Sequence, residues 1–137
     1  MAAAVAIELD SVLGDTRPLY DAWLADVSRR AHVDPNRLEE ELPNWRVLLE
    51  RFAEDHAPVY LRPRAPATAA LRRLQAEGVR IGVFTDAPEE LARIAVAHLG
   101  ASRRIEALEA GPGSLERLRE RLGPGTREIR SLADLQP

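Results

Sequence analysis

Apolar residues along the chain fall into two kinds of run. Val5-Ala6-Ile7-Glu8-Leu9-Asp10 and Val79-Arg80-Ile81-Gly82-Val83-Phe84-Thr85 are short, carry β-branched residues and stop at polar groups. That is the pattern of buried strands whose C-terminal ends are polar. Ile105 to Glu109 and Arg127 to Leu132 are shorter candidates for a third and a fourth strand. Elsewhere the spacing is helical. Leu19, Trp23, Leu24 and Val27 predict a helix to about Ala31, opened by Thr16 or Asp15 as N-cap with Pro18 in its first turn. Asp34-Pro35-Asn36 opens a shorter helix through Leu38 to Leu42, which Pro43 breaks. A third, from about Asn44 to Asp55, places Trp45, Leu48, Leu49 and Phe52 on one face and ends at Ala57-Pro58. After an extended Pro-rich segment reaching Pro66, Ala67 to Glu77 is helical and stops at Gly78, a favourable residue just past a helix end. Further helices run from Asp86-Ala87-Pro88 to Leu99-Gly100, and from Ser114 as cap to Leu122.

Strands alternating with helices imply right-handed crossovers and a mostly parallel sheet covered on both faces. The expected fold class is therefore α/β and Rossmann-like. The block from 17 to 60 holds only helices and is expected as a small cap inserted after the first strand. Residues 1–16 and 61–137 then make the α/β core of one compact unit. A length of 137 residues leaves no room for a second core.

Composition narrows the chemistry. The absence of Cys excludes disulfides, thiolate metal clusters and thiol nucleophiles. The 19 basic residues are all Arg, so lysine catalysis and lysine phosphate clamps are excluded too. Net charge is −3, the Arg-rich helices are interleaved with Glu, and aromatic content is 4%, which argues against a nucleic-acid partner. The start MAAAVAIELD has no basic n-region and no run approaches a membrane span, so a cytoplasmic location is expected.

In open α/β sheets ligands sit beyond the carboxyl ends of the strands. Glu8 and Asp10 close the first strand, and Thr85 and Asp86 close the second. Residues two apart on a strand share a face, so Glu8 and Asp10 are expected side by side. Adjacent carboxylates repel unless a cation or hydrogen-bond donors compensate, with Arg17 as a candidate partner. His32, His56 and His98 have no ligand-like spacing. Gly111-Pro112-Gly113-Ser114 reads as a helix-entry turn before it reads as an anion site. Trp23, Trp45 and Phe52 read as packing between the cap helices, with a pocket wall above Asp10 as the alternative.

Val5 to Thr16 resembles the first motif of the haloacid dehalogenase superfamily, an apolar strand followed by Asp-x-Asp-Gly-Thr/Val-Leu. Ile81-Gly82-Val83-Phe84-Thr85-Asp86 is similar to its second, and the helical block between them occupies the place of its cap. The likeness covers roughly Val5 to Gly100. It implies a Rossmann-like domain in which the first acid is the nucleophile and the second the general acid/base. A hydroxyl binds the transferred phosphoryl group, a Lys balances charge, and later acids hold Mg²⁺. By position these are Glu8 as nucleophile, Asp10 as acid/base and Thr85, with Asp86 beside it, for phosphate. Glu8, Asp10 and Asp134 are the implied metal ligands.

The departures from that pattern are specific. Glu8 is one methylene longer than the usual Asp, and displacing a nucleophile by an ångström costs on the order of 10²-fold in rate. Losing it altogether costs up to about 10⁶. Ser11 replaces the usual Gly. No Lys exists, and Arg103 or Arg104 is an imperfect substitute because the guanidinium fork differs from an ammonium. When Glu128 to Leu135 is laid over the acidic fourth motif, Asp134 matches the later acid but Arg130 stands where the first belongs. The preferred reading is that this motif is deleted. The expectation is a divergent hydrolase-like protein with impaired catalysis, a pseudoenzyme whose site is kept for a small phosphorylated ligand or a protein partner. The alternative is an active Mg²⁺-dependent phosphatase using Asp10 and Thr85.

Overall fold

The computed structural model describes residues 3–135. Four strands, β1 (Ala4–Glu8), β2 (Arg80–Thr85), β3 (Ala107–Ala110) and β4 (Thr126–Ile129), form one sheet in the order β3-β2-β1-β4. Every pairing is parallel. β1 lies at the centre with four of its five residues buried, which is why its sequence is an unbroken apolar run. The helices α1 (Arg17–Ala31), α2 (Leu38–Glu41) and α3 (Trp45–Tyr60) fall between β1 and α4 (Ala65–Ala76); α5 (Glu89–His98), α6 (Ser114–Leu122) and α7 (Leu132–Leu135) follow. The expected α/β, Rossmann-like architecture is the one observed.

Two apolar layers cover the sheet. One joins Val5, Ile7, Ile81, Val83 and Ile129 to Leu71, Leu91, Ala95 and the helices between β1 and α4. The other joins Ala4, Ala6, Phe84 and Ala107 to Leu118 and Leu122 of α6. Gly82 faces α6, where a Cβ would come within 2.6 Å of Leu118 Cδ1 and 2.8 Å of Leu122 Cδ1. The missing side chain is what lets the helix approach the sheet so closely.

Several expected boundaries move. β1 stops at Glu8, and Leu9–Leu13 form one wide helical turn closed by Gly14 N–H donating to the Leu9 carbonyl at 3.1 Å. Glu8 and Asp10 are therefore not neighbours on one face of a strand. α3 runs past Pro58 to Tyr60, because Pro58 and Glu54, whose carbonyl loses its partner, are both exposed to water near the helix end. α4 begins at Ala65 with Pro66 in its first turn. β3 starts later than Ile105, and β4 ends at Ile129 before α7. Gly113, not Ser114, is the cap residue of α6.

Among the helices between β1 and α4, Trp23 is 1% exposed and sits 6.3 Å from Trp45, centroid to centroid. The expected packing role holds for both. Phe52, half-buried, packs against the same core and also stacks on His56 at 4.0 Å. α3 is tied to α5 by Arg46–Glu90 at 3.0 Å and Arg93–Glu50 at 3.9 Å. No helix among the described residues is long and apolar enough to cross a membrane.

Candidate functional site

The carboxyl ends of β1 and β2 open into a cleft of about 980 Å³ whose far wall includes Tyr20 and Trp45. Trp45 thus serves both expected roles, helix packing and cleft wall. Glu8, Asp10, Thr85 and Asp86 all line this cleft, so the structure brings together four of the five site residues read from the sequence. The fifth, Asp134, lies exposed on α7 outside the cleft lining.

Asp10 reaches the cleft from the wide turn after β1, where its carboxylate meets three donors. Its Oδ1 accepts from Thr16 N–H at 2.8 Å and from Thr16 Oγ1 at 2.6 Å, and its Oδ2 accepts from Thr85 Oγ1 at 2.6 Å. Both threonines are 2% exposed. Three donors converge on this one carboxyl group and engage both of its oxygens. Thr85 Oγ1 also accepts from Ala87 N–H at 3.1 Å, so its donor and one acceptor position are already used. Thr16 is thus a partner of Asp10 and the residue before α1, where its expected side-chain cap bond is not made. The wide turn is braced from outside by Arg64, which donates to the carbonyls of Ser11 at 3.1 Å and Val12 at 3.4 Å.

Glu8 belongs to a different network. The parallel register of β1 and β4 ends at Ile7 against Ile129, which brings the next residues, Glu8 and Arg130, together. Arg130 Nη1 donates to Glu8 Oε2 at 2.5 Å, and Ser11 Oγ donates to Glu8 Oε1. Arg130 Nε donates to Glu128, and its guanidinium lies 5.2 Å above the Phe84 ring, a cation–π distance. The Glu128 bond foremost, then the charges of Glu128 and Glu8, raises the Arg130 pKa above its ordinary value. The Ser11 hydroxyl, at the position where the resemblance implies Gly, adds a donor to this network.

The expected charge partners are elsewhere. Arg17 forks onto Asp15, with Nε at 2.8 Å and Nη2 at 3.0 Å, and this pairing holds the Asp15 carboxyl below its usual range. Arg104 binds Gln75 at 3.0 Å, and neither Arg103 nor Arg104 lines the cleft. The arginines that do line it are Arg17, Arg46, Arg117 and Arg130, each bonded to a carboxylate: Asp15, Glu90, Glu109 and Glu8 respectively. Arg117 also donates to the carbonyls of Pro112 at 2.6 Å and Ala110 at 2.5 Å, fixing the Gly111–Ser114 loop as the entry turn of α6. The three histidines lie outside the cleft lining.

Whether these residues suit Mg²⁺ follows from their partners. Mg²⁺ requires six oxygens in near-octahedral array. Among the described residues no group of three or more His, Asp or Glu side chains is placed to hold a metal ion. Each Glu8 oxygen faces a donor, as does each Asp10 oxygen. The trio Glu8, Asp10 and Asp134 is not assembled, because Asp134 lies on α7 and Arg130 fills the space beside Glu8. The site does not fit the ion that the resemblance implies. Sequence reasoning missed Thr16, Arg64 and Arg117, and found Arg130 only as an anomaly where an acid was expected.

No protein-family model matches the chain, and no curated protein sequence does. Solved structures do match. CbbY from Rhodobacter sphaeroides, solved in complex with phosphate, aligns with a TM-score of 0.75 at 16% identity, over 93% of this chain and 77% of that one. A HAD phosphatase from Thermococcus onnurineus aligns at 0.57 and 15% identity, over 96% and 95%. A β-phosphoglucomutase from Clostridium difficile aligns at 0.55 and 14% identity, over 81% and 62%. The fold is therefore haloacid-dehalogenase-like, as the two sequence motifs implied.

Proposed function

We propose that this chain is a haloacid-dehalogenase-like protein that no longer transfers phosphoryl groups and uses its cleft to bind a small phosphorylated ligand or a partner. The observation that carries the reading is the state of Glu8. It stands where the fold's nucleophile is expected, and both of its oxygens are held by Arg130 and Ser11. A nucleophilic oxygen must approach phosphorus with a free lone pair and correct alignment, and a carboxylate fixed between two donors is poorly placed for that. The general acid/base candidate Asp10 and the hydroxyl of Thr85 are likewise spent on each other at 2.6 Å.

The reading is tested by incubating the pure protein with a panel of phosphomonoesters and Mg²⁺. No turnover above background is expected. Turnover that disappears in Asp10→Asn supports the alternative, an active phosphatase. One arrangement favours that alternative: Asp10 and Thr85 meet at the carboxyl ends of β1 and β2, where this fold places its chemistry.

A further inference from the structure

We infer that the Arg130 guanidinium is the resident cation of this site and keeps divalent metal out of it. The inference deepens the reading of a non-catalytic site by naming what occupies the space beside its first carboxylate. Three observations place the guanidinium across the strand ends. It directly follows β4, whose register with β1 brings it beside Glu8. It donates to Glu8 at 2.5 Å and to Glu128. Its flat face lies 5.2 Å from the centroid of Phe84, the β2 residue that pairs with Glu8 in the other register. One side chain thus touches the edge strand β4 and both central strands, β1 and β2, at the end where the cleft opens.

A divalent cation at Glu8 would have to displace this bond or lie within a few ångströms of a fixed positive charge. Repulsion at such range disfavours a second cation, although water reaching the half-exposed Arg130 side chain screens part of it. Displacement gains little in return. Glu8 offers only one carboxylate, and Asp10 is already satisfied by Thr16 and Thr85. Arginine suits the role because its charge persists at any physiological pH and its planar fork serves two carboxylates at once. The position matters as much as the charge. In the overlay on the fourth motif Arg130 falls where an acid would stand, and whether that motif is replaced or deleted, a guanidinium occupies the place beside Glu8.

Manganese(II), a paramagnetic stand-in for Mg²⁺, tests this through the amide spectrum of the full chain. Broadening reports where the ion binds without reference to activity. In the wild type, amides from Glu8 to Val12 are expected to broaden no more than the rest of the surface. Arg130→Asp should broaden them selectively at a Mn²⁺ concentration at least tenfold lower. Arg130→Gln removes the charge while keeping much of the length, and should show the same localisation at several-fold lower Mn²⁺ than the wild type. It carries the comparison if the charge-reversed variant does not fold. Selective broadening in the wild type overturns the inference. So does an identical response in wild type and variants, which would place the cause in the donor set alone. Failure of the broader reading looks different: phosphomonoester turnover that persists in chelator leaves Arg130 as the cation but restores catalysis.

Discussion

Asp10 and Thr85 lie 75 residues apart and meet through a 2.6 Å hydrogen bond that joins the wide turn after β1 to the end of β2. Thr16 supplies two more donors to the same carboxylate. A side chain read from its motif as catalytic is therefore also a structural tie.

That tie makes Asp10→Asn a stability variant as well as an activity variant. The amide offers one acceptor oxygen and turns an NH₂ toward groups that are themselves donors. Leaving buried donors unpaired costs about 1–3 kcal/mol. Urea denaturation should show a loss of that size, and an unchanged midpoint would mean the three bonds contribute nothing.

Glu8→Asp restores the residue type implied for the nucleophile. It leaves Arg130 in place, supplies no Lys and adds no metal ligand. Phosphomonoester turnover is expected to remain at background in a steady-state assay with Mg²⁺, and brisk turnover would show those absences to be dispensable.

Packing of α6 on β2 depends on Gly82, where a Cβ would approach Leu118 Cδ1 to 2.6 Å. Gly82→Val adds two further methyl groups to that space. Overpacking of this kind costs about 1–3 kcal/mol, readable as a lowered thermal midpoint. A midpoint within error of wild type would show that the leucine side chains yield freely.

Acid sensitivity should have a component from Glu109. Its pKa is lowered, first by the bond from Arg121 at 2.7 Å and then by that from Arg117 at 2.9 Å. A carboxyl whose folded pKa is depressed contributes stability above its unfolded pKa and loses it as pH falls through the folded value. Urea midpoints of wild type and Glu109→Gln should therefore differ at neutral pH and converge in acid, below the ordinary glutamate range. A gap that stays constant down to pH 3 would exclude Glu109 as the titrating group.

The sheet and most helices were legible in the chain because burial imposes period: Val5 to Ile7 and Ile81 to Phe84 are apolar throughout because both faces are covered. The turn at Leu9–Leu13 was not, since its apolar residues continue the run of β1 while the backbone has already coiled. Pro58 misled for a local reason, its lost bond being exposed where water replaces it. Glu8, Asp10, Thr85 and Asp86 were found because they close the two apolar runs, at the strand ends where such sheets bind ligands. The Glu8–Arg130 pair was not, because a contact spanning 122 residues leaves no trace in spacing.

The wide turn has a mechanical consequence. Thr16, where the chain enters α1, is bonded to Asp10 of this turn, and Arg64, where the chain returns toward α4, is bonded to the turn's carbonyls at Ser11 and Val12. Both crossings between the sheet and the intervening helices are thus moored to the same five residues. A hinge needs slack at its crossings, and here both are pinned at a shared point. The wall bearing Tyr20 and Trp45 is thereby tied, at both ends of its excursion from the sheet, to the turn that carries Asp10.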